Sequence, residues 1–202
     1  MEGIGLDLQR IRDEHVKRAG GLAREASLVY SALVLPNWRG ELHGFPETLY
    51  GLMMVVFARF DILSSYWTGE ITKYQTERMI QFLDQFRRHD TEANTVAVWL
   101  WRHKLMHTSR PRLFTNRQTG DIYCWLLHWH DHLPREQHFT LENTGTFKKL
   151  NLALMYLIED LAAATEGYLN ELEQSPELKV KYQRVDKLLN SMKIAIPQPP
   201  TR

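Results

Sequence analysis

The segment with the densest chemical potential runs Trp99-Leu100-Trp101-Arg102-His103-Lys104-Leu105-Met106-His107, followed by Thr108-Ser109-Arg110-Pro111-Arg112. At about 100° per residue, Val98, Trp101 and Leu105 share one narrow helical stripe, which reads as the face turned to the core. Arg102, His103 and His107 then lie roughly 65° to 205° from the middle of that stripe, interleaved with Trp99 and Met106. A helix with one core face and a second face of Trp, Met, Arg and His either borders a groove or meets another subunit. Cations beside two imidazoles, with Arg110 and Arg112 just beyond, suit a phosphate, because guanidinium groups offer paired donors to its oxygens. The structural alternative pairs Arg102 with a carboxylate such as Asp61 and leaves the histidines capping a helix C-terminus.

Other residues compete for a role. Asp61 follows Arg59 inside an otherwise apolar stretch, where a charge costs several kcal/mol unless it is paired. It either orients Arg102 or a histidine, or sits exposed with Arg59 at a local break. His128, His130, Asp131 and His132, with His138 close by, have metal-ligand chemistry, but their spacing lacks one residue of the binuclear hydrolase pattern. Solvent-facing histidines are the expected reading, and no metal or other cofactor is assigned. Tyr123, Trp125 and Trp129 could stack bases, although such rings more often pack a hairpin on a helix. Cys124 has no acid–base neighbour in sequence. Lys148-Lys149 and the Lys179/Lys181/Arg184/Lys187 series read as solvated faces, and there is neither a Gly-rich phosphate loop nor a serine elbow.

Mostly helical elements must position these groups. Spacings of three and four predict a helix over 6–35, ended by Pro36, and a second from Pro46 to about Trp67, closed by Gly69. The second is apolar on nearly all sides and is expected at the centre. A third helix is predicted over 72–88, and Asp90 is placed to cap a fourth from about Glu92 to His107. Residues 121–129 alternate with period two, and a short strand is expected around 138–141. Together they read as an antiparallel hairpin or three-stranded meander inserted at about 112–141. Helix is expected again from Thr146, with Ser175-Pro176-Glu177 starting a separate last helix to about Met192. The expectation is thus a mainly α bundle, one domain over 1–196, with a mobile proline-rich tail at 197–202.

Composition narrows the function classes. The 202 residues are 44% hydrophobic and 24% charged, enough for a substantial core. Lysine and arginine total 25 against 24 acids, so any nucleic-acid contact needs a local basic patch. One cysteine excludes an internal disulfide and fits a reducing compartment. No export signal is read in residues 1–25, and the longest stretch free of acids and bases is Thr48 to Ala58, short of a membrane span. A cytoplasmic protein without membrane contact is expected.

Arg102 and His107, with a polar residue directly after the arginine and at the end of a late helix, resemble the Arg-x(4-6)-His motif of the HEPN superfamily. The helix pairs before the motif and the helix after it are similar to that organisation, over about 45–167. A second copy, Arg10 and His15, has apolar Ile11 after its arginine and reads as a chance match. The resemblance implies an all-helical, metal-independent endoribonuclease or RNA-binding domain, a homodimer with two motifs facing each other, and toxin–antitoxin or antiviral settings with a regulatory partner. It implies that His107 is general base or acid and that Arg102 holds the scissile phosphate. His103 would orient Arg102 or contact substrate, with Lys104, Arg110, Arg112 and Asp61 around the substrate. The competing class is a non-catalytic helical dimerisation module, and the β insertion departs from the minimal family pattern.

Overall fold

The computed structural model describes residues 6–34, 47–87, 90–105, 113–128 and 133–191, with backbone alone at 33–34, 47–49 and 103–105. Helix α1 (Leu8–Val29) starts at Asp7, whose carboxylate accepts the Arg10 N–H at 2.9 Å. It buries Ile11, Ala19, Leu22 and Ala26 and passes into a π-helical turn, Tyr30–Val34. Helix α2 (Glu47–Thr68) buries Met53, Val56, Phe57, Phe60 and Leu63 and packs against the helices around it, as expected of an apolar central element. Gly69 ends it with φ +76°, and a Cβ there would come within 2.7 Å of the Arg184 guanidinium.

Helix α3 (Gln75–Arg87) supplies Met79, Phe82 and Leu83 to the same core. Helix α4 (Thr91–Trp99) is capped by Asp90, whose carboxylate accepts the Glu92 N–H at 2.6 Å. The chain continues from α4 as a π-helix, Leu100–Leu105. Helix α5 (Leu154–Gln174) and helix α6 (Pro176–Ser191) close the bundle, with Ser175 Oγ accepting the Leu178 N–H at 3.2 Å. One contiguous apolar cluster draws on all six helices and on the sheet. Among the described residues no helix is long and apolar enough to cross a membrane.

The β region differs from the expected hairpin or meander. Strands β1 (Phe114–Thr115), β2 (Ile122–His128), β3 (Thr140–Asn143) and β4 (Lys148–Ala153) form one mixed sheet in the order β1-β2-β4-β3. β2 and β4 run parallel, from Tyr123 opposite Lys148 to His128 opposite Ala153, while both outer pairs are antiparallel. The insertion therefore reaches Ala153, and 148–153 is strand where helix was expected. Leu150, Leu152 and Leu154 satisfy a period of two as readily as Leu150, Leu154 and Leu157 satisfy one near 3.6, so only the partner strand settles it. The turn Asn143-Thr144-Gly145 carried a local hairpin signal, with Gly145 at φ +85° and its N–H on Asn143 Oδ1 at 2.9 Å.

The sheet docks on α2 through aromatic rings. Trp125 stacks on Phe57 at 5.9 Å between centroids, and Trp101 stacks on Phe57 at 5.8 Å, so that two indoles flank one phenyl ring. Tyr123, Trp125 and Leu127 are the buried half of β2. The described part of the aromatic run therefore packs the sheet; Trp129 lies outside the described residues.

Candidate functional site

Arg102 sits in the π-helical turn that prolongs α4, half-buried, with its guanidinium carbon 5.7 Å from the Trp101 ring centroid. Among the described residues no carboxylate pairs with it. Val98 and Trp101 are buried, in agreement with the expected core face. Beyond Trp99 the 100° step no longer holds, because a π-helix bonds i to i+5 and places the side chains of 100–105 at other angles. Trp99 is half-buried and meets Phe114 of β1 edge-on at 5.2 Å. The side chains of His103 and Lys104, and all of Met106, His107, Arg110 and Arg112, lie outside the described residues.

Asp61 neither orients Arg102 nor stands exposed beside Arg59. Its carboxylate takes Arg78 Nη2 at 2.6 Å, from α3. Arg78, whose side chain is only 2% exposed, also donates from Nε to Ser64 Oγ at 3.0 Å and from Nη1 to the Glu70 carbonyl at 2.6 Å. A buried arginine thus staples the end of α2 to α3. The two partners are 17 residues apart, and nothing local to Asp61 names Arg78 over any other arginine.

A second buried carboxylate went unread in sequence. Asp160 lies in the apolar face of α5, beside Leu157, Ile158 and Leu161, and is fully buried. It pairs with Arg87 at the end of α3, with Arg135 Nη2 at 2.5 Å and with His138 Nε2 at 3.0 Å. His138 Nδ1 accepts the Ala153 N–H at 3.0 Å, so the ring proton belongs on Nε2 and is donated to Asp160 Oδ2. That bond also satisfies a backbone donor at the start of α5, which has no side-chain cap of its own. Phe139, next in the chain, takes φ +60° and donates its N–H to the Asn151 carbonyl at 2.8 Å. Burial lowers the Arg87 pKa and Asp160 counteracts it. Arg135, over the Tyr156 ring at 4.8 Å, is the one member of the group open to solvent. The cluster joins α3, α5 and the sheet; its His–Asp pair is sealed from substrate. The available signal was a lone acid within an apolar helical stripe.

His128 ends β2 on the sheet face opposite Trp125, while His130, Asp131 and His132 lie outside the described residues. Among the described residues no group of three or more His, Cys, Asp or Glu side chains is placed to hold a metal. Burial raises the Cys124 thiol pKa and Lys149 only partly opposes it, which disfavours the nucleophilic thiolate. Tyr123 donates to Glu92 Oε1 at 2.9 Å, and burial pushes its hydroxyl up to about 12. Lys148 Nζ reaches the same Glu92 at 2.8 Å, fixing the start of α4 against the sheet. The chain gives no significant match to protein-family models, to curated proteins or to solved structures.

Proposed function

We propose that this chain is an HEPN-like RNA-binding protein acting as a metal-independent endoribonuclease, with Arg102 and His107 as its phosphate-handling pair. One observation carries the reading. Arg102 is a half-buried guanidinium at the end of α4 with no carboxylate partner among the described residues, while Asp61 and Asp160 are both engaged by other arginines. A cation in that position is available to an anion.

In this mechanism Arg102 holds the scissile phosphate and offsets the charge that develops on its oxygens. His107 removes the proton from the ribose 2′-hydroxyl or delivers one to the leaving oxygen, as an imidazole can near neutral pH. The 2′-oxygen bonds to phosphorus as the P–O5′ bond breaks. His103 orients Arg102, and Lys104, Arg110 and Arg112 extend the contact along the backbone. A homodimer sets two such pairs face to face, and a regulatory partner or antitoxin would cover them.

The test is incubation of purified protein with mixed RNA in EDTA, alongside His107→Ala and Arg102→Ala. Cleavage that resists the chelator, falls about 100-fold or more in His107→Ala and loses RNA affinity in Arg102→Ala is the expected result. Neither cleavage nor RNA binding by the wild type, or unchanged cleavage by His107→Ala, overturns it.

A further inference from the structure

We propose that the cleft between α1 and α2, floored by α5, binds a single phosphoryl group between Arg59 and Arg18, with His15 beside them. The site is remote in sequence from Arg102 and independent of the nuclease reading. His15, Arg18, Ala19 and Leu22 line it from α1, and Arg59, Ile62 and Leu63 from α2. Leu161 and Thr165 of α5 close the floor.

Charge is the first reason. Arg59 is half-buried on the most apolar helix of the protein and makes no ion pair among the described residues. The nearby acid, Glu14, is engaged by Arg18 one turn along α1. Two guanidinium groups and one carboxylate leave a surplus of one positive charge, which attracts an anion, and the paired N–H donors of two guanidinium groups suit the several oxygens of a phosphoryl group. Burial and the neighbouring Arg18 both lower the proton affinities of His15 and of Arg59. Glu14 opposes both shifts without cancelling them, its carboxylate being held by Arg18.

Size is the second. The inner space is about 20 Å³, room for one water-sized atom. A single phosphate oxygen is the largest part of the ligand that this inner space admits, and a base or sugar ring is too large to enter it. The floor is apolar apart from Thr165, whose hydroxyl proton is already given to the Leu161 carbonyl at 2.7 Å, so the donors to the anion are the guanidinium groups and His15 on the walls. The ligand is free phosphate or a terminal phosphoryl group.

Isothermal titration of the full chain with inorganic phosphate, at ionic strength matched with chloride, tests the site. Expected are saturable binding and a raised melting temperature for the wild type, with affinity at least tenfold weaker in Arg59→Gln and in Arg18→Gln. Arg18 is exposed enough that its loss leaves the fold intact, and Arg59→Lys is expected to recover part of the affinity. Arg10→Gln, on the exposed side of the same helix, is expected to bind as wild type. Competition by a 5′-phosphorylated but not a 5′-hydroxyl oligoribonucleotide places an RNA end in the cleft, and competition by neither makes free phosphate the ligand; both support the site. Equal competition by the two oligomers, absence of phosphate binding, or unchanged binding in both Gln variants overturns it. The RNA cleavage assay does not depend on any of these variants.

Discussion

Four arginines divide this molecule into two kinds of region. Arg78 and Arg87, where α3 meets α2 and α5, are each clasped by a carboxylate, Asp61 in one case and Asp160 in the other. Arg59 in the α1/α2 cleft and Arg102 beyond α4 are also partly withdrawn from water, yet among the described residues neither has such a partner. The chemistry of the side chain is the same in all four. What differs is whether an acid from another helix arrives opposite it, and this separates a cation that ties elements together from one that can receive an anion.

The comparison predicts a ranking of effects. Asp160→Asn is expected to cost the most, about 3–5 kcal/mol, because it removes the charge that balances buried Arg87 and leaves one oxygen where the arginines and His138 now use two. Asp61→Asn should follow somewhat below that, since Asp61 keeps some contact with water; urea unfolding reads both. Arg59→Met and Arg102→Met are expected to change stability by less than about 1 kcal/mol in the same assay. A large loss in either would place that arginine with the structural pair. The smallest effect is a pH dependence at His15, whose proton affinity burial and Arg18 hold below the ordinary imidazole value. The unfolded chain then binds the proton more tightly, so the contribution is complete above about pH 6.5 and is lost as pH falls from there towards the folded value. Urea midpoints at pH 7.5 and 5.5 should therefore differ more for the wild type than for His15→Gln.

Much of the helical frame was readable locally. Asp90 and Ser175 announce helix starts by side-chain caps, Pro176 occupies a first turn, and Gly69 supplies the positive φ that ends α2. The unbroken apolar surface of α2 foretold its central place. Around Leu150 the local pattern is ambiguous, because six residues of alternating pattern also fit the start of a helix and the parallel partner, β2, lies more than twenty residues earlier. The Arg102 region was legible as a motif but not as geometry, since no residue type marks the onset of the π-turn at Leu100. The α1/α2 cleft is half legible: His15 falls on the helical spacing of Ile11, Ala19 and Leu22, while Arg59, its neighbour in space, is 44 residues further along.

Periodicity, caps and breakers act within a few residues of one another, so the chain alone established the α-helices, most of their ends and the alternation of β2. Ion pairs and strand pairings join residues brought together by folding, at separations where residue type carries no address. The partner of Asp61, the burial of Asp160 with His138, and the parallel register of β2 with β4 were therefore settled by packing.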